Sequence, residues 1–391
     1  MRSETRPLLV FHDIPETAGA PFRTALFNLF GEANCAHLRE IDLRSGEDVR
    51  SAITRGERPR MVCGHIPMRY VPEDSRDAAA TFVRDPIDRV LSLYRFMRDR
   101  PLAVRAHLGL GETFTLREFL DCRHSEVTAQ VDDGMCRFLA REHSYWPIDY
   151  AAGAPRKPDA MTLYSAQDAL GGMIVGVCER MRESLALLSA AFGLGAPLSV
   201  VDENPERVRR EEAAGDELAE IAARNANDIA LYRHALARFE HEVRFGPRHV
   251  SALITPETLS PGREYRIDCL PGRDGFNPFE EQPQVSWLSH RATARLHFLV
   301  GAEPVHGLSM RIYAGQDDYP VESAAFLLNG AAPPLAWRPD GDHWGTVFLG
   351  PFQTVHGLNT LEICTPAPDG AATPAFDPRP LAFGVSSIRA N

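Results

Sequence analysis

A chain of 391 residues is longer than one ordinary hydrophobic core, which points to two or three domains. Apolar residues make up 44% and charged residues 24%, the balance of a folded soluble protein rather than a disordered, fibrous or membrane-embedded one. The 42 basic residues are outnumbered by 53 acidic ones, and the net charge of −11 disfavours bulk nucleic-acid binding, which needs a basic footprint. Lys157 is the sole lysine, so any polyanion must be met by arginine.

The first 245 residues alternate short apolar runs with helical patterns, which predicts an α/β domain over residues 1–246 with a parallel sheet. Leu8 to Phe11 reads as a buried strand, Asp13 to Gly19 as a Gly/Pro loop, and Pro21 to Phe30 as an amphipathic helix. Strand, loop and helix start form the layout of an anion site, because free N–H groups and the helix dipole hold a phosphate. Met61 to Cys63 and Ala79 to Val83 read as strands, the second leading through Arg84-Asp85-Pro86 into a helix from Ile87 to Met97. Pro86 suits that helix's first turn, where a missing N–H costs nothing. Met173 to Val177 predicts a strand, Arg182 to Ala191 a helix, and Asp216 to Val243 one long helix.

Beyond Pro247 no convincing helix remains. Pro247, Pro256 and Pro261 mark a linker. Runs near Tyr265–Cys269, Ala294–Val300, Leu308–Tyr313, Ala324–Leu328, Gly345–Leu349, Asn359–Cys364 and Leu381–Ile388 predict an antiparallel β-sandwich over residues 247–391. Its aromatics Trp287, Trp337, Trp344, Phe326, Phe348 and Phe352 are either core or a sugar-stacking platform.

The seven cysteines are odd in number, scattered, and without a C-x-x-C pair, which suits a reducing compartment and a cytoplasmic location. The fourteen histidines form neither H-E-x-x-H nor a Cys/His zinc spacing, so no metal site is expected. The longest uncharged run, Ser184 to Val201, is broken by Gly193, Gly195 and Pro197 and is no membrane span. The N-terminal apolar run is only four residues, too short for a signal peptide.

The segment Thr81-Phe82-Val83-Arg84-Asp85-Pro86-Ile87-Asp88-Arg89-Val90-Leu91-Ser92-Leu93-Tyr94 resembles the nucleotide-binding segment of sulfotransferases. Val131 to Leu139 is similar to that family's N-G-M-T-R-x-L helix, and Val175 to Leu185 to its V-G-x-x-E-x-x-x-E-S-L strand and helix. Asn204-Pro205 and Asn225 to Tyr232 resemble its N-x-x-D-x-x-L-Y ending. The likeness covers Leu8 to Val243 and is nearest to carbohydrate sulfotransferases of the heparan sulfate 2-O type and their bacterial members. It implies a P-loop-like sulfotransferase fold that takes a sulfuryl group from 3′-phosphoadenosine 5′-phosphosulfate (PAPS), releases 3′-phosphoadenosine 5′-phosphate (PAP), and needs no metal. It also implies that Arg84 and Ser92 hold the 3′-phosphate and that His65, in Gly64-His65-Ile66-Pro67, takes the acceptor's proton. An Arg fork suits a phosphate and a neutral imidazole suits a base near neutrality.

The first loop departs from the family's H-I-P-K-T-A-G-T-S pattern, reading Asp13-Ile14-Pro15-Glu16-Thr17-Ala18-Gly19-Ala20-Pro21. Thr17 and Gly19 keep their places as donor-binding residues, but Glu16 stands where the family's Lys meets the sulfuryl group. Three outcomes are open: Arg23 or Arg69 replaces the Lys, Glu16 serves as a base or acceptor-orienting group, or nucleotide binding survives without transfer. The expected acceptor is a glycan of capsule, lipopolysaccharide or exopolysaccharide type. The alternative is a repurposed nucleotide-binding fold acting as a glycan-binding or assembly module. No oligomeric state is implied.

Overall fold

In the computed structural model, which describes residues 8–38, 51, 59–71, 78–140, 157–192, 198, 210–247, 256–290, 292–314, 319–366 and 381–391, the run at Leu8 becomes a central strand. This strand, β1 (Leu9–His12), lies between β3 (Met61–Gly64) and β4 (Ala78–Val83) and is parallel to both. β2 (Cys35–Leu38) flanks β3, and β5 (Ile174–Val177) runs parallel to β4, giving the order β2-β3-β1-β4-β5. Every residue of β1, β3 and β5 is buried, the continuous apolar pattern of parallel strands covered on both faces. The chain moves from β1 to one side and returns at β4 on the other. The crevice beyond the carboxyl ends of those strands is therefore the switch point where open α/β sheets hold ligands.

The chain forms two compact units, one of Met1–Ala20, Ala36–Pro197 and Asp202–Ser251, the other of Pro21–Cys35, Leu198–Val201 and Ala252–Asn391. Helix α1 (Gly19–Phe30) begins in the first and continues in the second. The first unit also carries α2 (Pro86–Arg98), α3 (Leu102–His107), α4 (Leu116–Asp121), α5 (Ser125–Val131) and α6 (Gly134–Leu139). After these come α7 (Ala160–Gly171), α8 (Met181–Ala191), α9 (Gly215–Arg224) and α10 (Ala226–Phe245). Val83, Phe138, Val175, Val177, Leu231 and Phe239 share one core, and Val90, Leu93, Phe119, Val127 and Ile221 another.

The long helix predicted over Asp216 to Val243 is two helices. At Asn225 the backbone leaves the helical region at φ −117°, ψ 34°. The buried Asn225 side chain explains the break, because its amide donates to the Val131 carbonyl at 2.8 Å and the Ile221 carbonyl at 2.9 Å. Asn competes for backbone groups in this way wherever a helix end is available.

The second unit is built on two mainly antiparallel sheets. One orders β14 (Leu335–Gly341), β15 (Trp344–Leu349), β12 (Leu308–Tyr313), β17 (Leu381–Ala390), β10 (Gln284–Ser289) and β9 (Phe279–Glu281), with β7 (Glu264–Arg266) also on β17. The other orders β13 (Ala325–Leu328), β16 (Gly357–Thr365), β11 (Ala292–Val300) and β6 (Thr258–Leu259), with β8 (Arg273–Asp274) also on β11. Met310, Ile312, Val347 and Val385 from the first sheet share one core with Leu296, Phe298, Leu361 and Ile363 from the second. From Thr293 to Val300 of β11 burial alternates, as it must when one face meets that core and the other does not.

Candidate functional site

Beyond β1 the chain makes a tight loop held by its own backbone. Asp13 N–H donates to the Gly64 carbonyl at 3.0 Å, and Ile14 N–H to the His12 carbonyl at 3.1 Å. Glu16 (φ 68°) and Ala18 (φ 73°) are both left-handed, although neither is glycine. Two such residues cost of order 1–2 kcal/mol each, so the loop is a strained conformation imposed by its surroundings. Left-handed residues alternating along a loop are the backbone pattern from which anion nests are built, although the Thr17 N–H here donates to the Ile14 carbonyl at 3.3 Å. α1 follows directly, and the first N–H groups of a helix have no acceptor within it. Pro21, its third residue, removes one of those donors.

Two carboxylates crowd this nest. Asp13 is 2% exposed, and its Oδ1 lies 1.6 Å from where a β-carbon on Gly19 would stand, so any side chain there would displace the Asp13 carboxylate. The Glu16 carboxylate accepts a hydrogen bond from the Ser92 hydroxyl at 2.6 Å. Arg84, immediately after β4, donates from its guanidinium to the Glu16 main-chain carbonyl at 3.1 Å. Arg84, Ser92 and Glu16 therefore form one contact group. Thr17 is buried, and its hydroxyl donates inward to the Ile14 carbonyl at 2.8 Å.

His65 enters from the β3 side. Gly64 ends β3 at φ 141°, and a β-carbon there would stand 2.0 Å from the Leu38 carbonyl oxygen, so glycine is obligatory. The chain then turns, and His65 Nδ1 lies 2.7 Å from the Asp13 carbonyl. A carbonyl only accepts, so Nδ1 is the donor, and in a neutral ring the lone pair then falls on Nε2, the tautomer a general base requires. His12, fully buried at the end of β1, pairs Nδ1 with the Ile66 carbonyl at 2.9 Å, and Thr81 of β4 donates to the His12 carbonyl at 2.7 Å. His12 and Asp13 thus position the loop, a role that sequence reasoning missed because an isolated His-Asp pair at a strand end carries no spacing signal. Arg23 is half-buried on α1, four residues after Gly19. The Arg69 side chain and Asn204-Pro205 lie outside the described residues.

The four motif segments are joined by polar contacts. Asp85 caps α2, accepting from the N–H groups of Ile87 at 3.0 Å and Asp88 at 3.3 Å. Its own N–H donates to Glu179 at 2.9 Å, and Glu179 accepts from the Tyr232 hydroxyl at 3.1 Å. Burial, followed by the neighbouring Glu179 charge, raises the Tyr232 phenol well above its ordinary range. Asp228 of α10 accepts from the N–H groups of Met135 at 2.9 Å and Cys136 at 2.7 Å at the start of α6. Asp133 accepts from the Asp228 N–H at 2.9 Å and from the Asn227 amide at 3.0 Å. Its carboxyl is pushed up to about 6, first by burial and then by the Asp228 charge. Arg210 bridges Asp85 at 2.5 Å and Asp88 at 2.6 Å, which holds its guanidinium strongly protonated.

In the second unit, Trp287 and Phe326 are buried, and Trp337 and Phe352 pack against the same core. Phe348 is 40% exposed. Trp344 packs at a tilt against Tyr313, centroids 5.1 Å apart, Tyr313 meets Trp287 edge-on at 5.7 Å, and Arg311 lies 5.0 Å over the Trp344 ring. All seven cysteines carry free thiols, and no described helix is long and apolar enough to cross a membrane.

No family model matches the chain, and no curated protein does. Among solved structures, a Paenibacillus sp. cycloisomaltooligosaccharide glucanotransferase complexed with cycloisomaltoheptaose matches 40% of the chain at 10% identity, with a TM-score of 0.21. A family GH115 4-O-methyl-α-glucuronidase with specificity for decorated arabinogalactans matches 71% at 11% identity, also with a TM-score of 0.21. The chain spans only 22% and 33% of these two proteins, and similarity at this level carries no argument about fold or activity.

Proposed function

We propose that the first unit is a sulfotransferase-type domain that binds a 3′-phosphoadenosine nucleotide at the β1/β4 switch point and transfers the sulfuryl group of PAPS to a glycan hydroxyl. The observation that carries this reading is the convergence of Arg84 and Ser92, eight residues apart on strand end and helix, upon residue 16 of the nest. A guanidinium and a hydroxyl beside strained backbone are the donors a phosphate needs. His65, with Nδ1 held by the Asp13 carbonyl, presents the base. In-line transfer then needs the acceptor hydroxyl near Nε2 and the donor's sulfuryl group in the loop, with PAP as leaving group.

The Glu16–Ser92 bond also favours a second reading. A carboxylate on Ser92 is an internal oxyanion, and a donor must move it before the hydroxyl is available. One repulsive unit charge at ~5 Å and an effective dielectric of ~20 opposes binding by roughly 3 kcal/mol. If that cost is not recovered, the domain is a repurposed nucleotide-binding fold serving glycan binding or assembly. Calorimetric titration with PAP and PAPS separates the two. Micromolar binding of both supports transfer, PAP binding alone supports the repurposed fold, and binding of neither removes the nucleotide reading altogether.

A further inference from the structure

We propose that His107, His124 and Glu126 form a binding site for a divalent transition-metal ion of the zinc class. The site lies in the first unit, shares no residue with the switch-point loop, and does not depend on the nucleotide reading. His107 ends α3, His124 immediately precedes α5, and Glu126 is the second residue of α5. One ligand atom from each of the three lies within 4.8 Å of the others. His107 Nε2 is 3.8 Å from a Glu126 carboxylate oxygen, and the two imidazoles meet edge-on with centroids 5.3 Å apart. Ligand atoms about 2.0–2.1 Å from a tetrahedral ion are ~3.3 Å from one another, so closure asks for shifts of about 1.5 Å or less. His107 and Glu126 are free to make them, their side chains being 69% and 32% exposed.

The donor set and its surroundings both fit a metal. Two imidazoles and one carboxylate are a three-protein-ligand set that leaves a fourth position for water or a small ligand. Both histidines line an open cleft of about 550 Å³, whose wall also holds Glu118, Asp121, Cys122 and Arg123. His124 Nδ1 is shielded from solvent and has no hydrogen-bond partner among the described residues, a deficit that a metal bond at Nδ1 itself relieves. The scaffold is tied together: the Cys122 thiol donates to the Leu108 carbonyl at 3.3 Å, and α4 starts in a Thr115–Glu118 capping box. The ligands escaped the sequence motifs because His107 and His124 are 17 residues apart with α4 between them.

The test is calorimetric titration of the chelator-treated full chain with zinc chloride, with cobalt(II) absorption as a second readout. We expect one ion per chain at about micromolar affinity or tighter, with cobalt bands of low coordination number. His107→Ala and Glu126→Gln should each weaken binding at least about tenfold, and His107 is exposed enough for its variant to keep the fold, which circular dichroism checks. Millimolar binding overturns the proposal. So does micromolar binding that both variants retain, because it would place the metal elsewhere, for instance on the free thiols.

Discussion

The Ser92 hydroxyl donates to the Glu16 carboxylate at 2.6 Å, closing helix α2 onto the loop that follows β1. With Asp13 folded over Gly19, two acids stand at this loop. The free domain therefore carries its own counter-charge, and nucleotide affinity should be set by residue 16 more than by any other position. Glu16→Lys should tighten PAP binding by roughly 10- to 100-fold, and Glu16→Gln by less, as measured by calorimetry. Unchanged affinity in both variants would show that the carboxylate leaves the site at no cost.

Arg84→Ala and Ser92→Ala test the opposite wall. A charge-assisted contact from Arg84 is worth about 1.5–3 kcal/mol, so its loss should weaken PAP binding roughly 10- to 100-fold, with a smaller effect at Ser92. Retained affinity in Arg84→Ala would remove the nucleotide from the β4 end of the sheet.

His65 separates chemistry from binding. His65→Ala should lower turnover by about 10²- to 10⁴-fold while leaving PAP affinity within about twofold. Parallel loss of both would make His65 a structural tie to the Asp13 carbonyl and nothing more.

Much of the first unit was readable because its strands are uniformly apolar and bounded by turn residues. β1, β3, β4 and β5 each begin or end within a residue or two of the predicted runs. Helices α3, α4 and α5 have six or seven residues, fewer than two turns, so no 3.6-residue period can register. Strand β14 contains Pro339 and is largely exposed at a sheet edge, which hides it from any hydrophobic pattern. Arg84 and Ser92 were visible as a strand-end arginine and a helical serine. Their meeting with Glu16 was not, because contacts across 68 and 76 residues depend on the sheet order β1-β4.

Gly64 offers a stability test of the loop that carries His65. A β-carbon there would stand 2.0 Å from the Leu38 carbonyl, and φ is 141°. Gly64→Ala must displace backbone rather than a side chain, and should lower unfolding stability by at least about 2 kcal/mol in urea titration. A loss under ~0.5 kcal/mol would mean that β2 yields easily and does not constrain the His65 turn.

Asp133 makes the fold's stability depend on pH in a direction opposite to a salt-bridged acid. Its carboxyl is raised from 3.8 to about 6, by burial first and by Asp228 second. Between those values the folded chain binds a proton that the unfolded chain does not, so stability from this group falls as pH rises from about 4 to about 6. Above pH 6 the buried anion is a standing cost of about 2–3 kcal/mol. Asp133→Asn removes the charge, and asparagine tolerates the left-handed backbone at φ 50°. The variant should exceed the parent's thermal midpoint at pH 7.5 and lose that advantage by pH 4.5. The wild-type-to-variant difference is the quantity to measure, because it cancels the general relief of repulsion that acid brings to a chain of net charge −11. A difference that stays constant across this range would mean that Asp133 keeps an ordinary affinity for protons, with the N–H groups of Asp228 and the Asn227 amide offsetting its burial.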